Sequence, residues 1–81
     1  MTDEQLLGRI VVDEKVLAGK PVIQGTRLSV KHILDLLAHG MSEAEVLAEY
    51  DGLVAEDVQA CLLFASRSLD EIDYMPLTAE A

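Results

Sequence analysis

The segment that most constrains the fold lies just before the first clear helical pattern. It comprises positions 19–27 and has the sequence Gly-Lys-Pro-Val-Ile-Gln-Gly-Thr-Arg. Pro21 fixes its own φ and removes a backbone donor, whereas Gly19 and Gly25 allow backbone angles that other residues avoid. We therefore expect a loop of defined shape between an N-terminal arm and a helical unit.

Two interpretations of this loop are open. In the first, backbone N–H groups near Gly25 and Thr26 bind an anion or a partner, helped by the Lys20 and Arg27 side chains. In the second, which we favour, Gly25 shapes the arm and Thr26 satisfies a local N–H group, while Arg27 pairs with a helical acid. The segment does not match the Gly-x-x-x-x-Gly-Lys-Ser/Thr pattern of a nucleotide-binding loop.

The short length predicts one small domain that needs a partner. A chain of 81 residues buries only about 60% of its unfolded surface, so its own core is small. Half of the residues are apolar, yet only Tyr50, Phe64 and Tyr74 are aromatic. Because oligomerisation often stabilises such a core, we expect a homodimer or an obligate partner.

The charge is distributed unevenly along the chain. The net charge is −9, divided between +1 for residues 1–31 and −10 for residues 32–81. Phosphate repels an acidic surface, so strong non-specific nucleic-acid binding is not expected. Any phosphate contact should come from the N-terminal third, where Lys20, Arg27 and Lys31 lie.

The sequence also bears on cofactors and location. Cys61 is the single cysteine, which excludes an intrachain disulfide and a cysteine-based metal cluster. No apolar run approaches the roughly 20 residues of a membrane span, and the N-terminus does not resemble a signal peptide. We expect a cytoplasmic protein without a cofactor.

The predicted architecture is mainly α, with a short N-terminal β-arm followed by a tri-helical bundle. Residues 1–8 are expected to be a frayed N-terminus, residues 9–28 the β-arm and glycine-rich loop, and residues 70–81 a C-terminal tail. The three-helix unit covers residues 29–69. Within it, Ser29 and Ser42 are expected N-caps, and Gly40 and Gly52 follow the first two helices.

The third helix is predicted from Val54 or Ala55 to about Leu69. Its expected inner stripe is Val58, Cys61, Leu62, Ala65 and Leu69, and its expected outward residues are Glu56, Asp57, Gln59, Ala60, Leu63, Phe64 and Arg67. A short helix, a tight turn and a longer helix are the outline of a helix-turn-helix module.

Several residue runs resemble a known family. The segment from Gly19 to Val30, the later Gly40-Met41-Ser42 and the run Asp57-Val58-Gln59-Ala60 closely resemble the family called domain of unknown function 433. The resemblance covers roughly residues 9–69. It implies a small, mostly prokaryotic protein with a homeodomain-like helix-turn-helix.

The resemblance also implies a function. Such proteins are often regarded as antitoxins encoded beside a PIN-like ribonuclease toxin, so we expect an antitoxin-like interaction protein without enzymatic activity. The candidate partners are a second copy, a PIN-like toxin and promoter DNA, with no membrane and no small-molecule substrate. The alternative is a stand-alone helix-turn-helix regulator that binds DNA.

Three other features have both a structural and a functional interpretation. His32 and His39 share a helix face with Asp35 and could bind a metal, but a histidine at a helix C-terminus needs no ligand. Cys61 is expected to be a buried, unreactive thiol. Leu63 and Phe64 are expected to mark a self or partner interface.

The acidic tail alternates charge with apolar residues, and we expect it to be either disordered or ordered by a partner. The residues predicted to contact a partner or nucleic acid are Lys20, Gly25, Thr26, Arg27, Lys31, Gln59, Leu63, Phe64 and Arg67.

Overall fold

The computed structural model describes residues 1–70, and the predicted C-terminal tail lies almost wholly outside them. In chain order the elements are α1 (Asp3–Leu7), β1 (Ile10–Val12), a 3₁₀ turn (Leu17–Gly19), β2 (Pro21–Ile23), α2 (Val30–Ala38), α3 (Glu43–Glu49) and α4 (Ala55–Leu69). The predicted β-arm followed by three helices is confirmed.

The β-arm is an antiparallel hairpin whose two strands pair Ile10 with Ile23 and Val12 with Pro21. Its link turns sharply because Leu17, Ala18 and Gly19 all have positive φ. Leu17 and Ala18 have side chains that disfavour positive φ, so this link stores some backbone strain. Ile23 lies in the core with an exposed fraction of 2%, which anchors the arm to the helices.

Local capping explains the bounds of α2 and α3. The Ser29 hydroxyl accepts from the N–H of His32, and Ser42 forms a reciprocal capping box with Glu45. Gly40 follows α2 with φ +100°, and the N–H of Met41 donates to the carbonyl of Leu36. These arrangements match the predicted caps.

The N-terminus differs from its prediction. Residues 1–8 were expected to be frayed, but α1 occupies Asp3–Leu7 and packs against α4. Thr2 and Gln5 form a capping box, and Asp3 lies 2.8 Å from Arg67 in an ion pair. The prediction was wrong because five residues are too few to show helical periodicity, and the local signal is the Thr2–Gln5 capping pair.

The orientation of α4 also differs from its prediction. Asp57 and Ala60 were expected to face outward but are buried, with exposed fractions of 6% and 0%. Leu62 and Leu69 were expected to face inward but are 50% and 60% exposed. The reason is that α1 and β1 contact α4 in addition to α2 and α3, so α4 has a second covered face.

The core itself is small and aliphatic. Its buried members come from β2, α2, α3, the turn before α4 and α4: Ile23, Val30, Ile33, Val46, Leu53, Val58 and Cys61. Phe64, predicted to point away from the inner stripe, is half-buried and packs against this core. Among the helices of residues 1–70, none has the length and hydropathy that crossing a bilayer requires.

Candidate interaction site

The cations of this chain fall into two groups. Arg9, Lys31 and Arg67 form ion pairs with Asp57, Asp35 and Asp3 respectively. Within residues 1–70, the remaining three cations have no carboxylate partner, and they are Lys15, Lys20 and Arg27. All three are exposed and lie within the arm and the loop after it. We call them the arm cations.

Arg27 thus departs from the favoured interpretation, in which it pairs with an acid of the helices. It is exposed, and no acid of the described residues forms an ion pair with it. In a chain with 15 acids, an unpaired guanidinium remains available to an external carboxylate or phosphate. Lys20 is available in the same way.

Gly25 and Thr26 have local roles. The N–H of Thr26 donates to the carbonyl of Ile23 at 3.0 Å, which closes a β-turn with Gly25 at its third position and φ +82°. The Thr26 hydroxyl donates to that carbonyl and accepts from the N–H of Leu28. The Thr26 hydroxyl thus satisfies a local N–H group, as the favoured interpretation expected, and the N–H of Thr26 is not free to bind an anion.

The other predicted contact residues are scattered over different surfaces. Lys31 is bonded to Asp35 at 2.6 Å across one turn of α2. Gln59 is exposed on α4, and Leu63 is half-buried. Arg67 is held by Asp3 of α1. Lys31 and Phe64 line one groove with the arm cation Lys20, whereas Gln59, Leu63 and Arg67 do not.

Arg9 was not singled out from the sequence, yet it joins the arm to α4. Its guanidinium lies 3.0 Å from a carboxylate oxygen of Asp57, and the other oxygen accepts from the N–H of Val54. The carbonyl of Arg9 accepts from the N–H of Gln24 at 2.7 Å. No local pattern connects residues 9 and 57, so only the folded chain shows this contact.

The two histidines have partners within the chain. The Nε2 atom of His32 lies 2.7 Å from the Tyr50 hydroxyl, which connects α2 with the end of α3. The Nδ1–H group of His39 donates to the carbonyl of Asp35 at the C-terminal end of α2. In residues 1–70, no three His, Cys, Asp or Glu side chains are grouped to hold a metal ion.

Cys61 has the properties of an unreactive thiol. It is fully buried in the core. Burial and, to a smaller extent, the nearby Asp57 carboxylate raise the pKa of the Cys61 thiol to about 11. Because the thiolate is the nucleophile, so high a pKa makes Cys61 a poor one near neutral pH.

An apolar groove of about 570 Å³ lies where β2, α2 and the end of α4 meet. Its apolar lining comes from Pro21, Val30, Leu34, Phe64, Ala65 and Leu69. Lys20, Lys31 and Asp35 stand at its rim together with Ser29 and Ser68. The groove thus has an apolar interior and one arm cation, Lys20, at its edge.

A family model and a solved structure both relate this chain to the same protein family. A family model described as a protein of unknown function, DUF433, matches residues 10–65. The fold is similar to the crystal structure of a DUF433 member from Anabaena variabilis ATCC 29413, with a TM-score of 0.74. The two chains are 30% identical, and the alignment covers 86% of this chain and 69% of that one. No curated protein matches the sequence.

Proposed function

The chain belongs to the DUF433 family of proteins of unknown function, and on that premise we propose that it is an antitoxin-like interaction protein. Its partner is a PIN-like ribonuclease, which it binds and neutralises in the cytoplasm, where such a nuclease meets RNA. A homodimer is the proposed binding form.

The observation that carries this proposal is the set of arm cations. Lys20 and Arg27 remain exposed and unpaired among the described residues of a chain whose net charge is −9. A ribonuclease of the PIN-like class has an acidic active site, and guanidinium and ammonium groups complement carboxylates. The arm would insert these cations where the nuclease otherwise binds its metal ions and substrate.

Cys61 in the core and the two exposed histidines favour a binding role over a catalytic one. The high pKa of Cys61 opposes nucleophilic attack. His32 and His39 are engaged with Tyr50 and with the carbonyl of Asp35. These groups stabilise the helices rather than converge on a common point.

Promoter DNA is a second candidate partner. Asp57 points into the molecule, so one of the two acids near the start of α4 is removed from the surface that a recognition helix would present. The exposed polar residue in the first turns of α4 is Gln59, a side chain that can bond to base edges. This observation also supports the alternative of a stand-alone helix-turn-helix regulator.

Co-purification tests the proposal. The chain is co-expressed with the product of the neighbouring gene, and the complex is captured through a tag on that product. We expect the chain to be retained and the ribonuclease activity to be inhibited. The variant Lys20→Gln/Arg27→Gln should weaken retention by about tenfold or more, because each lost charge-assisted bond contributes roughly 1.5–3 kcal/mol.

The matched control is Ala44→Glu/Ala48→Glu, which lowers the net charge by the same two units at exposed positions of α3. It should leave retention unchanged. A chain that binds neither the neighbouring gene product nor its own promoter would overturn the proposal. Specific promoter binding without binding to that product would favour the regulator.

A further inference from the structure

We propose that the apolar groove between β2, α2 and α4 is the binding site for residues 71–81 of the same molecule. The inference concerns the isolated chain and does not rest on the proposed function. Its starting point is an apolar groove of about 570 Å³ on a small acidic domain. Val30, Leu34 and Phe64 line its interior, and that surface is stabilised when apolar side chains displace water from it.

The described chain ends at this groove. Ser68 and Leu69 line it, and Asp70 caps the C-terminus of α4 directly afterwards. Eleven residues follow Asp70, and an extended segment of that length reaches up to about 36 Å. The lining stretch of α4 from Phe64 to Leu69 rises by only about 7.5 Å. Residues 71–81 are therefore long enough to turn back along the groove.

The sequence after Asp70 complements the groove chemically. Glu71 and Asp73 alternate with Ile72 and Tyr74. In an extended backbone such alternation puts the two apolar residues on one face and the two acids on the other. The apolar face matches the groove interior, and the acids then lie at the groove mouth. There Lys31 and Asp35 pair with each other, and Lys20 is left without an acid partner among residues 1–70.

Covalent connection favours the chain's own segment over other occupants. A segment joined to the groove by a short linker has an effective concentration on the order of 1 mM. A second copy reaches that level only at a similar protein concentration. We therefore assign the groove to the C-terminal segment in the same molecule, and a partner that uses the groove must displace this segment.

A single tryptophan tests the assignment in the full-length chain, which has none of its own. With Tyr74→Trp, we expect a blue-shifted emission and acrylamide quenching several-fold weaker than in urea. Adding Ala65→Glu fills the groove with an acidic side chain and should restore the red-shifted, strongly quenched signal. Lys20→Glu changes only an exposed rim residue and should shift the signal in the same direction.

The matched control is Tyr74→Trp with Ala48→Glu, which adds the same charge on the exposed surface of α3. It should leave the emission unchanged, and circular dichroism should show equal helicity in all variants. If acrylamide quenches the Tyr74→Trp variant as strongly in buffer as in urea, the proposal is overturned. A blue shift that disappears on dilution, together with a dimer in sedimentation, would assign the groove to a second copy instead.

Discussion

At the scale of single residues, the buried carboxylate of Asp57 holds the arm against α4. Its side chain is only 9% exposed and receives hydrogen bonds from Arg9 and from the N–H of Val54. A buried carboxylate that loses its cation retains the cost of its desolvation. The stability of the arm should therefore depend on Arg9.

Arg9→Met should lower the free energy of unfolding by about 2 kcal/mol, less than for a fully buried pair because the Arg9 side chain is 34% exposed. Urea denaturation followed by circular dichroism measures the loss. Arg67→Met is the matched control, since the pair of Arg67 with Asp3 is more than half exposed on both sides. It should cost no more than about 0.5 kcal/mol. Equal losses in the two variants would contradict the buried role of Asp57.

Gly25 gives a second prediction at this scale. Its φ of +82° lies in the left-handed region, and a Cβ atom added there would meet no other atom within 4 Å. Gly25→Ala should therefore cost about 1 kcal/mol through backbone strain alone. Thermal unfolding checks the value.

The control for Gly25→Ala is Gly8→Ala. Gly8 has φ −64° and ψ −14°, angles that alanine adopts freely. An added Cβ atom there makes ordinary contacts at 3.4 Å or more. Gly8→Ala should be neutral or stabilise by up to about 1 kcal/mol. A neutral Gly25→Ala would show that the turn can adopt another conformation.

At the scale of elements, helix α4 begins without a capping side chain. Val54 occupies the N-cap with φ −124° and ψ 166°, the extended conformation that a cap requires, but it has no side-chain acceptor. It is also 43% exposed, so its side chain contributes little to the core. The Asp57 carboxylate supplies only half of a capping box, by accepting from the Val54 N–H.

Val54→Thr should complete the box and raise the free energy of unfolding by about 1 kcal/mol. Threonine keeps the β-branched shape and adds a hydroxyl that can accept from the N–H of Asp57. Val54→Ala provides the control, because it removes the side chain without adding an acceptor and should not stabilise. Urea denaturation of both variants separates the cap from a change in side-chain size. An equal effect of the two substitutions would argue against capping.

At the scale of the whole molecule, Cys61 reports on global opening. It is fully buried where α4 meets the core, and its pKa is raised to about 11. A thiol reagent can reach it only when these helices separate. We expect labelling at pH 8 to be slow in the native chain and to accelerate with urea in proportion to unfolding. Fast labelling without urea would mean that α4 separates locally from the core.

The same group predicts a dependence of stability on pH. The folded pKa of about 11 exceeds the usual value of 9.0, so the unfolded chain loses this proton first. The contribution of the buried neutral thiol is therefore complete below about pH 9 and is lost as the pH rises toward 11. Cys61→Ala should flatten this alkaline decline, which urea titrations between pH 8 and 11 would show.

The sequence by itself determined the local structure. The caps at Ser29 and Ser42 and the glycine that follows α2 were predicted correctly, because each depends on residues no more than five positions apart. The arm was predicted from two short β-prone runs, although its strands pair residues 9 to 13 positions apart. Most of the sequence evidence for the family lay in one such segment, residues 19–27. Two features were not predicted: Arg27 has no acid partner among residues 1–70, and the N–H of Thr26 donates to the carbonyl of Ile23. Each depends on which atoms the folded loop brings near.

Only the tertiary structure decided which surfaces are covered. Helix α4 turns Asp57 and Ala60 inward because α1 and β1, about fifty residues earlier in the chain, pack against it. Periodicity identifies an apolar stripe but cannot show how many neighbours a helix has. The arm cations and the apolar groove emerged for the same reason, since ion pairing and cavity shape depend on contacts between elements distant in sequence.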